Sequence, residues 1–311
     1  MKIGLNTDGF GAWTIERTLD RMAELKMEAV EFALGGWSSA PHVKIDSLLS
    51  NAAERDRLLG LCRERGLTIS ALNCSGNQLH SDESGSRTAT LAYATVELAK
   101  LLEVDRIVMM SGLPPAPGDS FPNWITSNWP PETQKILEWQ WSERVAPFWK
   151  EFAPVAEKAG VRICIEQIAR QAVHNNETFF RLRGIAGRNV GVNFDPSHLI
   201  WMGGDPVAAI EELGECVFHV HGKDTYIEAG SRSNGLLDPK DTTPVKGRAW
   251  NYVSLGHGTS YRRWLDILAA LKRVGYDDVV SIENEDYSLD PDTAITTSNA
   301  VLRFSLDSLA G

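Results

Sequence analysis

The chain has no run of about 18 apolar residues, the length a membrane-spanning helix needs, so its 43% hydrophobic content is left to build a buried core. It also lacks any cluster of lysine or arginine. With 31 basic against 41 acidic residues and a formal charge of −10, no basic stripe is available to neutralise a phosphate backbone, and nucleic acid is not an expected partner. Cysteine is scarce: Cys62, Cys74, Cys164 and Cys216 show no C-x-x-C spacing and are read as reduced core thiols packing as small hydrophobes. No glycine-rich loop opens into a helix, so a phosphate group has no ready cradle. The opening MKIGLNTDGF alternates like a strand and carries no basic region followed by an apolar one, and the protein is expected to be cytoplasmic.

What is present is a regular alternation. Eight short β-branched or apolar runs occur at residues 2–6, 29–34, 68–74, 106–111, 162–167, 190–195, 217–224 and 278–285, each of a length suited to a buried strand. Helical periodicity fills the spaces between them, as at 14–26, 87–104 and 260–275. Strict strand-then-helix order implies a parallel sheet with right-handed crossovers, and eight units with strands buried on both faces predict an α/β protein of the (β/α)8 TIM-barrel type. Residues 1–311 are expected to form one domain.

Two connections are too long for ordinary strand-to-helix loops. The first, from Ser111 to about Thr133 after the fourth strand, is rich in Pro, Gly and Trp and contains Trp124 and Trp129; Trp139, Trp141 and Trp149 follow at helical spacing and are as readily core residues. The second, from Thr225 to Gly258 after the seventh strand, contains Trp250 and His257. Both belong on the C-terminal face, where such barrels carry their chemistry.

Acidic and imidazole groups fall at the C-terminal ends of the last four strands: Glu166 on the fifth, Asp195 on the sixth, His219 and His221 on the seventh, Glu283 and Glu285 on the eighth. A lone carboxylate inside ICIEQ is costly to bury unless a cation shares it. One divalent ion offsets that cost for several carboxylates at once, and a mainly oxygen donor set suits Mn2+ best, with Mg2+, Co2+, Fe2+ and Zn2+ also admissible. Residues two apart on a strand share a face, so spacing alone leaves His219 against His221, and Glu283 against Glu285, open. Asp195, which precedes Pro196, also suits a plain helix cap.

IEQ at 165–167, FDPSH at 194–198, HVHGKD at 219–224 and SIENED at 281–286 resemble the motifs of the xylose isomerase-like barrel superfamily, the sugar phosphate isomerases/epimerases that include ketose 3-epimerases and inosose dehydratases. The resemblance covers essentially the whole chain. It implies one divalent metal held by Glu166, Asp195, His221 and Glu283, with Glu166 and Glu283 as an acid/base pair on opposite faces of a bound sugar and His198 contacting substrate. Such a metal acidifies the C–H beside a coordinated carbonyl by stabilising the enediolate, and reprotonation from the other side gives epimerisation. Where a leaving group lies β to the carbonyl, the same carbanion expels it, as in a dehydratase or lyase. A looser resemblance extends to the α subunits of C-glycoside deglycosidases, which act on 3-oxo-glycosides and pair with a smaller subunit. A homo-oligomer and such a hetero-complex are both compatible with the chain.

Lys223 is a candidate for a substrate oxygen and Asp224 for orienting an imidazole. His80 and His257 fall on loops of the catalytic face; Arg248 and Arg170 are the candidates for an anionic substituent, and Trp124 for a stacked ring. An endonuclease related to the same barrels shares the D-P-x-H element, but its three-zinc cluster is ill-matched to seven histidines, the missing D-x-H pair after the seventh strand and an acidic chain. A barrel that binds a metal without turning over a sugar is the remaining rival.

Overall fold

The computed structural model of the chain describes residues 1–310. Each of the eight runs becomes a strand. These are β1 (Lys2–Asn6), β2 (Ala29–Ala33), β3 (Thr68–Asn73), β4 (Arg106–Met109), β5 (Arg162–Glu166), β6 (Val190–Phe194) and β7 (Val217–Gly222); a hairpin of β8 (Asp224–Ile227) and β9 (Trp250–Val253) then intervenes before β10 (Val279–Ile282). The order β1-β2-β3-β4-β5-β6-β7-β10 closes on itself as a barrel, with helices between the strands. Strands β2, β4, β6 and β10 are buried at every position, which explains why they read as continuous Val/Ile-rich runs rather than alternating ones. The four cysteines are buried and none is in a disulfide, and burial pushes the thiols of Cys62 and Cys74 up to about 12.

Local chemistry sets the helix starts. Thr14 accepts from the Arg17 amide to begin the helix Ile15–Glu24, and Asn175 and Thr178 form a reciprocal capping box ahead of Asn176–Ala186. Among the described residues, no helix is long and apolar enough to cross a membrane.

By backbone contacts the chain divides into two units. One comprises residues 1–31, 60–70 and 194–311; the other comprises 32–59 and 71–193.

In the first unit, the seventh run is shorter than the sequence pattern predicts: β7 stops at Gly222, and Asp224 opens β8. The long segment 225–258 is not uniformly irregular, because β8 pairs antiparallel with β9 from Asp224↔Val253 to Ile227↔Trp250. Asp224 does not orient an imidazole. Its carboxylate accepts from the amides of Thr225 (2.8 Å), Gly256 (3.0 Å) and Thr259 (3.0 Å) and from the Trp264 indole (3.1 Å), so it ties the hairpin to the helix Tyr261–Arg273. A Cβ at Gly258 would lie 2.2 Å from the Thr225 carbonyl oxygen, so this close approach requires glycine.

In the second unit, the segment after β4 has one isolated bridge, Pro115↔Pro122, and is held by Gln140, whose Nε2 donates to the carbonyls of Pro114 and Asn123 at 2.8 Å. Trp149 and Trp141 are buried, and the Trp149 indole donates to Ser111 O at 3.0 Å; these two are core residues, while Trp129 is exposed.

Candidate active site

In the first unit, Asp195, His198, Lys223 and Glu283 converge. Asp195 follows β6 directly and serves two purposes: Oδ1 accepts from the Ser197 amide at 2.8 Å and caps the helix Pro196–Trp201, whereas Oδ2 faces Lys223 Nζ at 3.0 Å and His198 Nε2 at 3.3 Å. The cap reading of this residue therefore holds, and its second oxygen is left facing Lys223 and His198. One turn along that helix, buried His198 meets the Tyr252 hydroxyl through Nδ1 at 2.6 Å. Desolvation of this phenol drives its pKa well above the usual tyrosine value, so Tyr252 stays a neutral hydroxyl.

The register of β7 against β10 sets His221 opposite Ser281, and Glu283 lies two residues further on, hence on the same side. His221 Nδ1 stands 3.3 Å from Glu283 Oε2, while Nε2 meets both oxygens of Glu31 at 3.1 Å. His219 Nε2 is further from Glu31, at 3.8 Å. Of the two histidines that sequence spacing left open, His221 is thus the one adjoining Glu283. Lys223, buried, also touches Glu283 and lies 3.1 Å from Glu285 Oε1. Desolvation, reinforced by the neighbouring Glu283, raises the Glu285 carboxyl above its ordinary value despite Lys223 beside it.

Sequence reasoning missed Glu31. It is a single carboxylate in the apolar run AVEFAL, the same signal that marked Glu166, and it is completely buried against His219 and His221.

Two sets of donor atoms suit a cation. Those of Asp195, His198 and Glu283 lie within 4.8 Å of one another, as do those of Glu31, His219 and His221. Four carboxylates, of Glu31, Asp195, Glu283 and Glu285, surround this centre with one ammonium, that of Lys223. Such an excess of confined negative charge is what a divalent ion neutralises.

In the second unit, Glu166 ends β5 in register with Asn193, whose Nδ2 donates to Glu166 Oε2 at 2.8 Å. Gln167 Nε2 donates to Asn176 Oδ1 at 3.1 Å. The half-buried His80 accepts from the Asp82 amide at 3.2 Å in the turn before the helix Glu83–Leu101, while Trp124 stacks edge-on to His174 with centroids 5.4 Å apart.

Back in the first unit, His257 is exposed. Arg248 is buried, lies 4.8 Å over the Trp250 ring and donates to Asn251 Oδ1 at 3.3 Å. Trp201 and Trp250 stack at 4.6 Å, and Trp250 continues into Tyr252 at 5.0 Å, so an aromatic wall runs up to His198.

Comparison with known proteins accords with the barrel. The chain is 43% identical over 308 residues to the uncharacterised protein YfiH of Bacillus subtilis, covering 97% of this chain and 98% of that one. Its fold matches that of IolI protein with a bound zinc atom (TM-score 0.70, 20% identity, 99% of each chain) and of a D-tagatose 3-epimerase-like protein (TM-score 0.65, 20% identity, 99% of this chain and 100% of the other). The sequence pattern of one family matches residues 19–304, and the chain belongs to that family, the xylose isomerase-like TIM barrels.

Proposed function

We propose that this protein is a divalent-metal-dependent enzyme that moves a proton next to the carbonyl of a sugar or keto-sugar, with Glu166, Asp195, His221 and Glu283 as the metal's ligands. The observation that carries the reading is the buried charge imbalance around Lys223 together with the geometry of His221. A metal-binding imidazole characteristically gives its second ring nitrogen to a carboxylate, and Glu31 takes that part against Nε2, leaving Nδ1 directed toward Glu283. The donor set is hard and oxygen-rich, which favours Mn2+, and the zinc in the IolI structure is in keeping with a divalent ion on this fold.

When bound, the ion would withdraw electron density from a carbonyl and its neighbouring hydroxyl and so acidify the C–H between them. The protein's own groups do the rest. Glu283, held by Lys223, accepts or returns the proton on one face; Glu166, oriented by Asn193, serves the other. His198, fixed by Tyr252 and Asp195, is placed to hold a substrate hydroxyl, and Lys223 to hold a substrate oxygen. Of the remaining sequence candidates, Arg248 stays as a substrate contact, whereas the packing of Trp124 on His174, the local turn of His80 and the exposure of His257 offer those three residues less support.

A second reading, elimination of an aglycone from a 3-oxo-glycoside, is favoured by the aromatic wall of Trp201, Trp250 and Tyr252, which suits a planar group. The test is to incubate Mn2+-loaded protein with 3-oxo-glucose and a 3-oxo-glycoside in D2O. Deuterium incorporation without release supports the isomerase or epimerase; aglycone release supports the lyase. Neither with either substrate sinks the reading for oxidised glucosides, and full activity in protein stripped of its metal sinks the metal dependence.

A further inference from the structure

The second unit contains a cavity of about 340 Å3 between the segment after β4 and the loop after β5, within the volume range of small-molecule sites, about 300–1,000 Å3. Two of its lining side chains carry buried polar atoms without a hydrogen-bond partner, Gln171 Oε1 and Trp124 Nε1, while the His174 ring is held by the backbone of Gln171 and Ala172. Gln171 as a whole is only 3% exposed. An unsatisfied polar atom in a protein interior costs free energy, and two facing one cavity are a pattern that a ligand relieves.

The walls are built rather than loose. Besides the Gln140 bonds across the segment after β4, the Ala172 amide donates to Gly112 O at 3.0 Å and the Val173 amide to Ser111 Oγ at 2.9 Å, so the loop bearing Gln171 and His174 is pinned to the end of β4. One wall is a single π-helical turn, Trp141–Val145, an irregularity that recurs at functional sites.

The lining chemistry narrows the ligand. Arg181 is already neutralised by Glu138 at 2.7 Å and covered by Trp141, so it offers little to an anion. Desolvation lowers the His174 pKa, keeping the imidazole neutral with one donor and one acceptor nitrogen. Indole N–H donor, amide oxygen acceptor and neutral imidazole, set beside apolar surface, match the mixed donor and acceptor edges of hydroxyl groups on a ring. We infer that this cavity binds a neutral polyhydroxylated ring, supplied either as a free monosaccharide or as one ring of a larger glycoside. This does not rest on the metal reading.

The test is ligand-detected NMR titration of the full chain, stripped of metal with EDTA, against D-glucose, cellobiose and gluconate. Saturable binding of glucose or cellobiose is expected, with gluconate weaker. Glucose binding identifies the free ring, and binding of cellobiose alone identifies a ring within a larger glycoside. Gln171→Leu should weaken binding by about tenfold or more, the scale of one lost polar contact. Trp124→Phe, which keeps an aromatic ring and removes the N–H, provides the same comparison should Gln171→Leu fail to fold. Absence of saturation with both neutral sugars, equal affinity in the folded variants and wild type, or tighter gluconate binding overturns the proposal.

Discussion

The two units handle polar groups in opposite ways. Around Lys223 the first unit concentrates charged groups, with the one buried ammonium meeting Asp195, Glu283 and Glu285, whereas around Gln171 the second gathers neutral donors and acceptors, among them Gln171 Oε1 and Trp124 Nε1 without hydrogen-bond partners. A confined charge imbalance attracts an ion and activates what the ion touches; a neutral, unsatisfied lining attracts a molecule and leaves its bonds alone. The difference separates a centre suited to chemistry from one suited to recognition.

The largest expected effect would break the comparison outright. Glu283→Gln and Glu166→Gln should each lower kcat by about 10²–10⁴-fold, the usual worth of a positioned acid or base, measured by steady-state turnover on whichever keto-sugar proves active. Retention of activity within about tenfold of wild type would remove the acid/base assignment.

A smaller effect sharpens the contrast. Glu31→Gln should weaken metal binding by about 10–100-fold, with activity recovered at higher metal concentration, while Gln171→Leu should leave metal affinity alone. Calorimetric titration of both variants reads the difference, and an unchanged metal affinity in Glu31→Gln would mean that Glu31 does not position His221.

Asp286 tests whether charge in the first unit is structural away from the site. Its carboxylate accepts from the amide and hydroxyl of Ser254, both at 2.8 Å, and from Ser288. Burial acts to raise its pKa, but the hydrogen bonds from Ser288 and Ser254 outweigh burial and hold it below the ordinary carboxylate value. The bonds therefore stabilise the fold fully above the unfolded-state value of about 3.9, and the contribution disappears as pH falls from there through the lower folded value. Asp286→Ala should cost about 1–2 kcal/mol at neutral pH and flatten this acid limb, as read by urea unfolding at several pH values. The smallest effect is expected from Trp129→Ala, at an exposed position, which should change stability by no more than about 0.5 kcal/mol.

All eight barrel strands were legible because burial on both faces writes itself into the sequence as short Val- and Ile-rich runs. The residues proposed for the metal were legible because a carboxylate at the end of such a run has few inexpensive uses. Glu31 rests on the same physics but stands on the second strand, away from the cluster of motifs that draws attention to the last four. The hairpin was hidden for another reason: β8 and β9 are four residues each and separated by more than twenty, so neither periodicity nor a tight turn announces the pairing. The part played by Asp224 was hidden because its neighbours in sequence are the proposed site residues, while all but one of its hydrogen-bond partners lie some thirty to forty positions later.

That same anchor bears on how a long insertion is carried at all. With Asp224 fastening both ends of the hairpin segment, the distance the intervening chain must span is set before its length matters, and each doubling of a flexible loop then costs only about 0.6 kcal/mol. Leu236, Asp238 and Val245 are themselves tied to Trp250, Ala249 and Asn251, so the natural graft point is the exposed run from Asp241 to Pro244, where sequences of different length and composition are expected to be exchangeable.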